Sequence, residues 1–263
     1  KVWGGEEVWL EPLVVPDASC QPQDLPLDIL YEDGEILVIN KPAGMVVHPA
    51  AGNPDGTLQN ALLHQAPELA GVPRGGLVHR LDKDTSGLLV VARTLQAHKF
   101  LVDLLQQRQV HREYRALVTG VPTGGGRVDA PMGRHPRQRT QMAVIPGGRP
   151  AVTHYRLLEA FRGYALLGVR LETGRTHQIR VHMAHIHHPI LGDPVYGGLP
   201  RPPKGASVRL VAGVRAFPRQ ALHALRLGFR HPGSGEEMAW EIPLAADMQA
   251  LVTLLREEGD GVD

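Results

Sequence analysis

This sequence has little to offer a disulfide, a membrane or an aromatic stacking surface. One cysteine, Cys20, occurs in 263 residues, so no internal disulfide can form. Nothing favours an oxidising compartment and no secretory signal is visible, so a cytoplasmic location is expected. The longest unbroken apolar run is Leu88 to Ala92. A membrane helix needs roughly 20 such residues, so no membrane partner is expected. Aromatic residues make up 5%, too few for an extended base-stacking platform. No G-x-G-x-x-G follows a strand pattern and no Walker A lysine loop occurs, so no nucleotide cofactor is indicated. No internal repeat is present. The 30 Gly and 22 Pro stay below the low-complexity range.

What the chain does have is a lopsided charge. Residues 1–40 carry one Lys against nine acids, a net of −8, and residues 250–263 carry a net of −3. The formal total is +1, which leaves +12 on the stretch 41–249. A basic body with acidic ends suits a polyanion partner, or simply a solvated basic surface. The densest part is 107–150, with Arg108, Arg112, Arg115, Arg127, Arg134, Arg137, Arg139 and Arg149 against Glu113 and Asp129. All of these cations are Arg, whose planar fork grips phosphate bidentately.

The apolar pattern predicts a hairpin over 29–39 around Glu32-Asp33-Gly34, and a helix from a Thr57 cap to about Gln65. Strands are expected at Leu77–Leu81 and Leu88–Ala92, and a helix at Leu95–Gln107. Further strands are expected at 114–119, 142–145, 152–158, 164–171, 208–214, 220–229 and 238–242. Helices are expected from Arg175 to about His185 and from Leu244 to Arg256. Gly124-Gly125-Gly126 reads as a hairpin loop. Consecutive strands with few intervening helices predict an α+β fold with a mixed, mostly antiparallel sheet.

Four features could carry chemistry. His79-Arg80-Leu81-Asp82-Lys83-Asp84-Thr85-Ser86-Gly87 is a polar loop between two strongly apolar segments. A rigid scaffold presents catalytic groups on such loops. Arg80 and Lys83 flank Asp82, which suits a carboxylate working as nucleophile or base. An ordinary turn using Asp and Gly fits the same residues. In Glu172 to His182, Arg175, Gln178 and His182 fall near one helical face, and Thr176 and Arg180 near another, beside a helix N-terminus suited to an anion. His182, His185, His187 and His188 invite a metal, but no His-Glu-x-x-His pair or Cys partner accompanies them, so none is expected. Tyr114 lies inside a strand, where packing is the ordinary role.

These residues together carry a resemblance. The stretch His79 to Leu88 resembles the signature of the RluA-type pseudouridine synthases. Ile39-Asn40-Lys41-Pro42-Ala43-Gly44-Met45-Val46-Val47-His48-Pro49 resembles the family's opening strand and loop, and Glu113-Tyr114-Arg115-Ala116-Leu117-Val118 its tyrosine motif. Gly174 to His182 with His188 to Asp193 resembles the third motif, and Gln220-Ala221-Leu222-His223-Ala224 the last. The order and spacing fit over roughly residues 24–250. Finer stretches, Pro49 to Thr57, Val195 to Gly198 and Arg201 to Ser207, are similar to members that modify one stem-loop of 23S ribosomal RNA.

The resemblance implies a pseudouridine synthase fold over 28–263, preceded by a linker at 13–27 and the last piece of an S4-type RNA-binding domain at 1–12. The opening at Lys1 rather than Met fits that expectation. It implies isomerisation of uridine after the base leaves its stack. Asp82 would be the essential carboxylate; attack on C1′, attack on the ring and a glycal-type route are all open to it. Arg180 would pair with Asp82, Tyr114 would contact the flipped base, and Arg80 would fill the gap the base leaves. Arg115, Arg137, Arg139, Arg175, His177 and Gln178 are the remaining candidate RNA contacts. The implied partner is 23S ribosomal RNA or a pre-50S particle, bound by a monomer without metal or organic cofactor. Rival readings are a non-catalytic RNA-binding module, a family enzyme acting on tRNA or another ribosomal site, and a metallohydrolase.

Overall fold

Local signals set most of the elements. The structure, a computed structural model, describes residues 20–50, 52–198 and 202–258. The S4-type remnant expected at 1–12 and the expected linker up to residue 19 lie outside the described residues. The rest of that linker is docked along the domain: Asn60 Nδ2 donates to the Gln21 carbonyl at 2.7 Å, and Gln23 N to the Asn60 carbonyl at 3.0 Å. β1 (Ile29–Glu32) and β2 (Ile36–Lys41) form the expected hairpin. Its turn is closed by Asp33 Oδ1, which accepts from the backbone of Glu35 and Ile36. Thr57 and Asn60 cap α1 (Leu58–Gln65) reciprocally. Two 3₁₀ turns, Pro67–Gly71 and Pro73–Gly76, lead to β3 (Ser86–Ala92), which is buried along its whole length. Thr94 caps α2 (Leu95–Gln106).

Strands then follow: β4 (His111–Thr119), β5 (Gly126–Asp129), β6 (Met132–Arg134), β7 (Met142–Val144), β8 (Val152–Phe161) and β9 (Tyr164–Leu171). The chain ends with α3 (Gln178–His185), α4 (Val208–Ala216), β10 (Leu222–Arg230), β11 (Glu237–Glu241) and α5 (Ala246–Glu257). The main sheet runs β1-β2-β3-β10-β4-β9-β8-β5, with β11 added to β10; β6 and β7 form a separate hairpin. Among the described residues only the β3–β10 pairing is parallel, so the expected mixed, mostly antiparallel α+β sheet is present. At that pairing Gly87 has φ +115°, and a Cβ there would press into the Ala224 carbonyl.

The pleat divides the core. Ile36, Val38, Leu88 and Val90 pack under Ala97, Leu101 and Leu104 of α2. Leu37, Ile39, Leu89 and Val91 belong to the larger cluster that includes Leu58 and Leu62 of α1 and Met248 and Leu251 of α5. Each fully buried Leu contributes about 1.5–3 kcal/mol.

Four expectations differ from the structure. Residues 208–214 form a helix: Ser207 Oγ accepts from Leu210 N at 3.0 Å, and Leu210 and Val214, four apart, are the buried pair. Leu77–Leu81 makes only one bridge, Leu77 to Val91, because the chain leaves the sheet there for the Asp82 loop. The helix begins at Gln178 rather than Arg175, since His177 takes left-handed backbone, φ 56°. Gly124–Gly126 is not a hairpin loop, because β5 pairs with β8 across the sheet.

Candidate active site

The Asp82 loop is held from beneath by two buried cations. Lys41 Nζ donates to the carbonyls of Pro42 (2.6 Å), Met45 (2.9 Å) and Lys83 (3.0 Å). Burial pushes the Lys41 ammonium down to about 7, against the opposing charges of Asp84 and Asp82. Arg219, anchored bidentately on Asp247 at 2.6 and 2.8 Å, donates to the Asp84 carbonyl at 3.0 Å and to Ser86 Oγ at 3.3 Å. Ser86 Oγ in turn meets His223 Nδ1 at 2.9 Å, and Gln220 donates to Thr85 Oγ1 at 3.2 Å. Backbone and side chains are therefore tied on both sides of Asp82, as a reacting carboxylate requires.

Arg180 reaches this loop from the first turns of α3. Its Nη1 donates to Asp82 Oδ2 at 3.1 Å, while Nε and Nη2 grip Asp193 at 2.7 and 2.9 Å. Its guanidinium lies 5.0 Å from the Tyr196 ring centroid. Burial works against the Arg180 charge, but Asp193 and then Asp82 outweigh it and raise its pKa. Burial likewise opposes an ionised Asp193, yet Arg180 and the backbone N–H groups of Tyr196 and Val195 hold its carboxyl below the usual range. Asp193 thus fixes Arg180, and Arg180 aims at Asp82.

His177 approaches the other carboxylate oxygen, with Nε2 3.9 Å from Asp82 Oδ1. Its Nδ1 lies 2.9 Å from Tyr196 Oη, which also accepts the Met142 N–H at 2.9 Å. Tyr114 stands in the middle of β4, 5% exposed. Burial pushes its hydroxyl pKa up; Arg112 opposes and Asp82 adds to the rise.

Asp82, Tyr114, Arg180, Arg80, Arg175, His177 and Gln178 all line one cleft of about 970 Å³. Arg74, Arg108 and Arg112 line it too, so its walls are strongly cationic. Two of the candidate RNA contacts sit differently from the others. Gln178 is 2% exposed and spends its amide inside the protein, donating to Val152 O and Thr153 Oγ1 and accepting from Thr173 Oγ1 and Arg175 N. Arg115 does not line the cleft. Alternation along β4 turns it to the sheet face opposite Tyr114, near Glu113 and Arg156. Arg137 and Arg139 lie in the loop joining β6 to β7, outside the cleft wall.

Four residues at the site were not singled out from sequence: Lys41, Asp193, Tyr196 and Arg219. Lys41 had a signal, a charge closing an apolar strand. Asp193 had a weaker one, as the acid nearest the histidine run. Within that run His182 is buried between Thr153 Oγ1 (2.9 Å) and the Ala130 carbonyl (3.0 Å). Among the described residues no three His, Cys, Asp or Glu gather as a metal site, and no helix is long and apolar enough to cross a membrane.

The sheet and the cleft define a known class. Residues 35–185 match the family described as RNA pseudouridylate synthase, and the chain belongs to that family of RNA-acting isomerases. It is 58% identical over 267 residues to ribosomal large subunit pseudouridine synthase D of Escherichia coli strain K12, covering 100% of this chain and 82% of that protein. The protein of the same name from Haemophilus ducreyi is 55% identical over 258 residues, 98% of this chain and 79% of that one. Among solved structures, human RNA pseudouridylate synthase domain containing 4 matches with a TM-score of 0.68 at 29% identity, over 87% of this chain and 93% of that chain. Human domain containing 1 matches at 0.64 and 26%, over 88% and 95%. The expected fold is therefore the one present.

Proposed function

We propose that this chain isomerises uridine to pseudouridine in the RNA of the large ribosomal subunit, with Asp82 as the working carboxylate. The observation that carries this is Asp82 itself, held at 3.1 Å by Arg180 on the wall of an arginine-lined cleft. The chain's 58% identity to a large-subunit synthase supports the choice of RNA.

The reaction breaks the C1′–N1 bond, turns the base and joins C1′ to C5. The C5 proton leaves and N1 takes one up, so substrate and product have the same atoms. The target base is flipped out of its stack, at a cost of a few kcal/mol. The cleft arginines repay this by holding backbone phosphates. Tyr114 lies under the flipped base, Arg80 fills the gap left behind, and Arg180 keeps the Asp82 carboxylate aimed at the sugar and ring. Arg137 and Arg139 extend the phosphate contacts beyond the cleft. The substrate is one stem-loop of 23S ribosomal RNA, free or in a pre-50S particle, bound by a monomer. Residues 28–263 act as the synthase domain, and 1–12 close an S4-type RNA-binding domain.

Pseudouridine mapping on large-subunit RNA tests this, using the parent protein and Asp82→Asn. The expected result is pseudouridine in one stem-loop with the parent and none with the variant, which still folds and binds RNA. Turnover by the variant would move the role away from Asp82, and pseudouridine only in tRNA would overturn the substrate.

A further inference from the structure

We propose that Tyr196 is a positioning residue of this isomerase, acting through His177 to turn a ring N–H toward Asp82. The inference deepens the role given to Asp82 above and rests on it.

Tyr196 Oη has two neighbours at 2.9 Å, the Met142 amide and His177 Nδ1. The amide can only donate, so it occupies an oxygen lone pair. The phenolic proton is then available to an acceptor, and His177 Nδ1 is the one at hydrogen-bond distance among the described residues. An imidazole that accepts at Nδ1 carries its own proton on Nε2. That nitrogen is the atom facing Asp82 Oδ1, 3.9 Å away. The opposite tautomer would point a lone pair at a carboxylate, which Coulomb repulsion disfavours. Both ends of the imidazole therefore call for the same tautomer.

Asp82 is then held from two sides, with Oδ2 on Arg180 at 3.1 Å and Oδ1 facing the His177 N–H. A separation of 3.9 Å is longer than a hydrogen bond. It is of the kind that tightens when a substrate closes the site. The backbone is bent to this purpose: His177 is left-handed at φ 56°, ψ 21°, a conformation that costs a side-chain-bearing residue about 1 kcal/mol or more. Burial, more than the Asp82 charge that opposes it, pushes the ring's pKa below its usual range, which keeps His177 neutral with a single N–H. Because Met142 opens β7, the same hydroxyl ties the hairpin bearing Arg137 and Arg139 to the carboxylate.

Tyr196→Phe keeps the ring under Arg180 and removes only the hydroxyl. We expect kcat to fall about tenfold with KM within about twofold of the parent, the split of an interaction made only in the transition state. A purely structural role would move stability without that split, so thermal melts are compared as well. Nitrogen-15 NMR of the histidines reads the tautomer without any turnover: His177 should be protonated at Nε2 in the parent and mixed in Tyr196→Phe. His177→Gln supplies an amide N–H near the Nε2 position without needing Tyr196. Adding Tyr196→Phe to it should change kcat less than about twofold. A proton on His177 Nδ1 in the parent overturns the inference, as does an unchanged kcat in Tyr196→Phe. So does a tenfold loss that persists in the His177→Gln background. If the parent isomerises no ribosomal RNA, the functional reading falls while the tautomer still decides this inference.

Discussion

Replacing Asp193 by Asn probes the ion pair behind Asp82. The Asp193 carboxylate is 0% exposed and the Arg180 side chain 6%. Oδ1 accepts from Arg180 Nη2 and from the backbone of Val195 and Tyr196, and Oδ2 accepts from Arg180 Nε. An amide can keep its oxygen on the three donors, but its NH₂ then meets Nε–H, donor against donor. Arg180 is left buried with Asp82 as its remaining charge partner among the described residues. Removing one member of a buried pair costs roughly 3–5 kcal/mol. In a chain of this size that lowers Tm by roughly 6–20 °C. Equilibrium urea unfolding followed by circular dichroism gives the difference, with the m-value as check that the unfolded state is unchanged. The loss should also depend on pH. A carboxyl held below its usual range contributes stability that is complete above the unfolded value of about 3.9 and disappears as pH falls through the folded value. The gap between parent and variant should therefore narrow in acid. A loss under about 1 kcal/mol at neutral pH with an unchanged m-value would refute the reasoning, because Arg180 would then have another partner.

Two other outcomes follow from the same geometry. Arg137→Ala and Arg139→Ala should each weaken RNA binding and lower the slope of log affinity against log salt by about 0.7–0.9. Arg115→Ala, on the opposite sheet face, should leave that slope alone, and binding titrations at several salt concentrations compare them. Burial, helped by the Arg219 charge and opposed by the Pro243 carbonyl, pushes His223 down to about 4. The unfolded chain then binds the extra proton between its value near 6.5 and the folded one. Stability should fall by about 3 kcal/mol across that window as pH drops, and His223→Gln should flatten this part of the unfolding profile.

Much of this was legible in one dimension because it depends on neighbours in sequence. The 29–39 hairpin rests on Asp33 and Gly34, α1 on the Thr57–Asn60 pair, and β3 on an unbroken apolar run. The Asp82 loop stood out because a polar stretch between buried segments needs a reason to be there. Where two periodicities fit, sequence misled. Val208, Leu210 and Val214 satisfy a strand or a helix, and packing against α5 with the Ser207 cap decides for the helix.

Composition and local pattern determined the class of the sheet, its caps and turns, the arginine supply and the loop that carries Asp82. Those properties come from side-chain size, charge and backbone freedom within a few residues. Tertiary structure alone decided which arginines reach the cleft. Arg180 lies 98 positions from Asp82 and meets it only because α3 docks against the sheet. Arg112 and Arg115 are three apart on one strand, yet the pleat sends one into the cleft and the other away. Asp193 and Tyr196 gained their contacts the same way: an isolated carboxylate or phenol announces nothing until the fold brings Arg180 to one and His177 and the Met142 amide to the other.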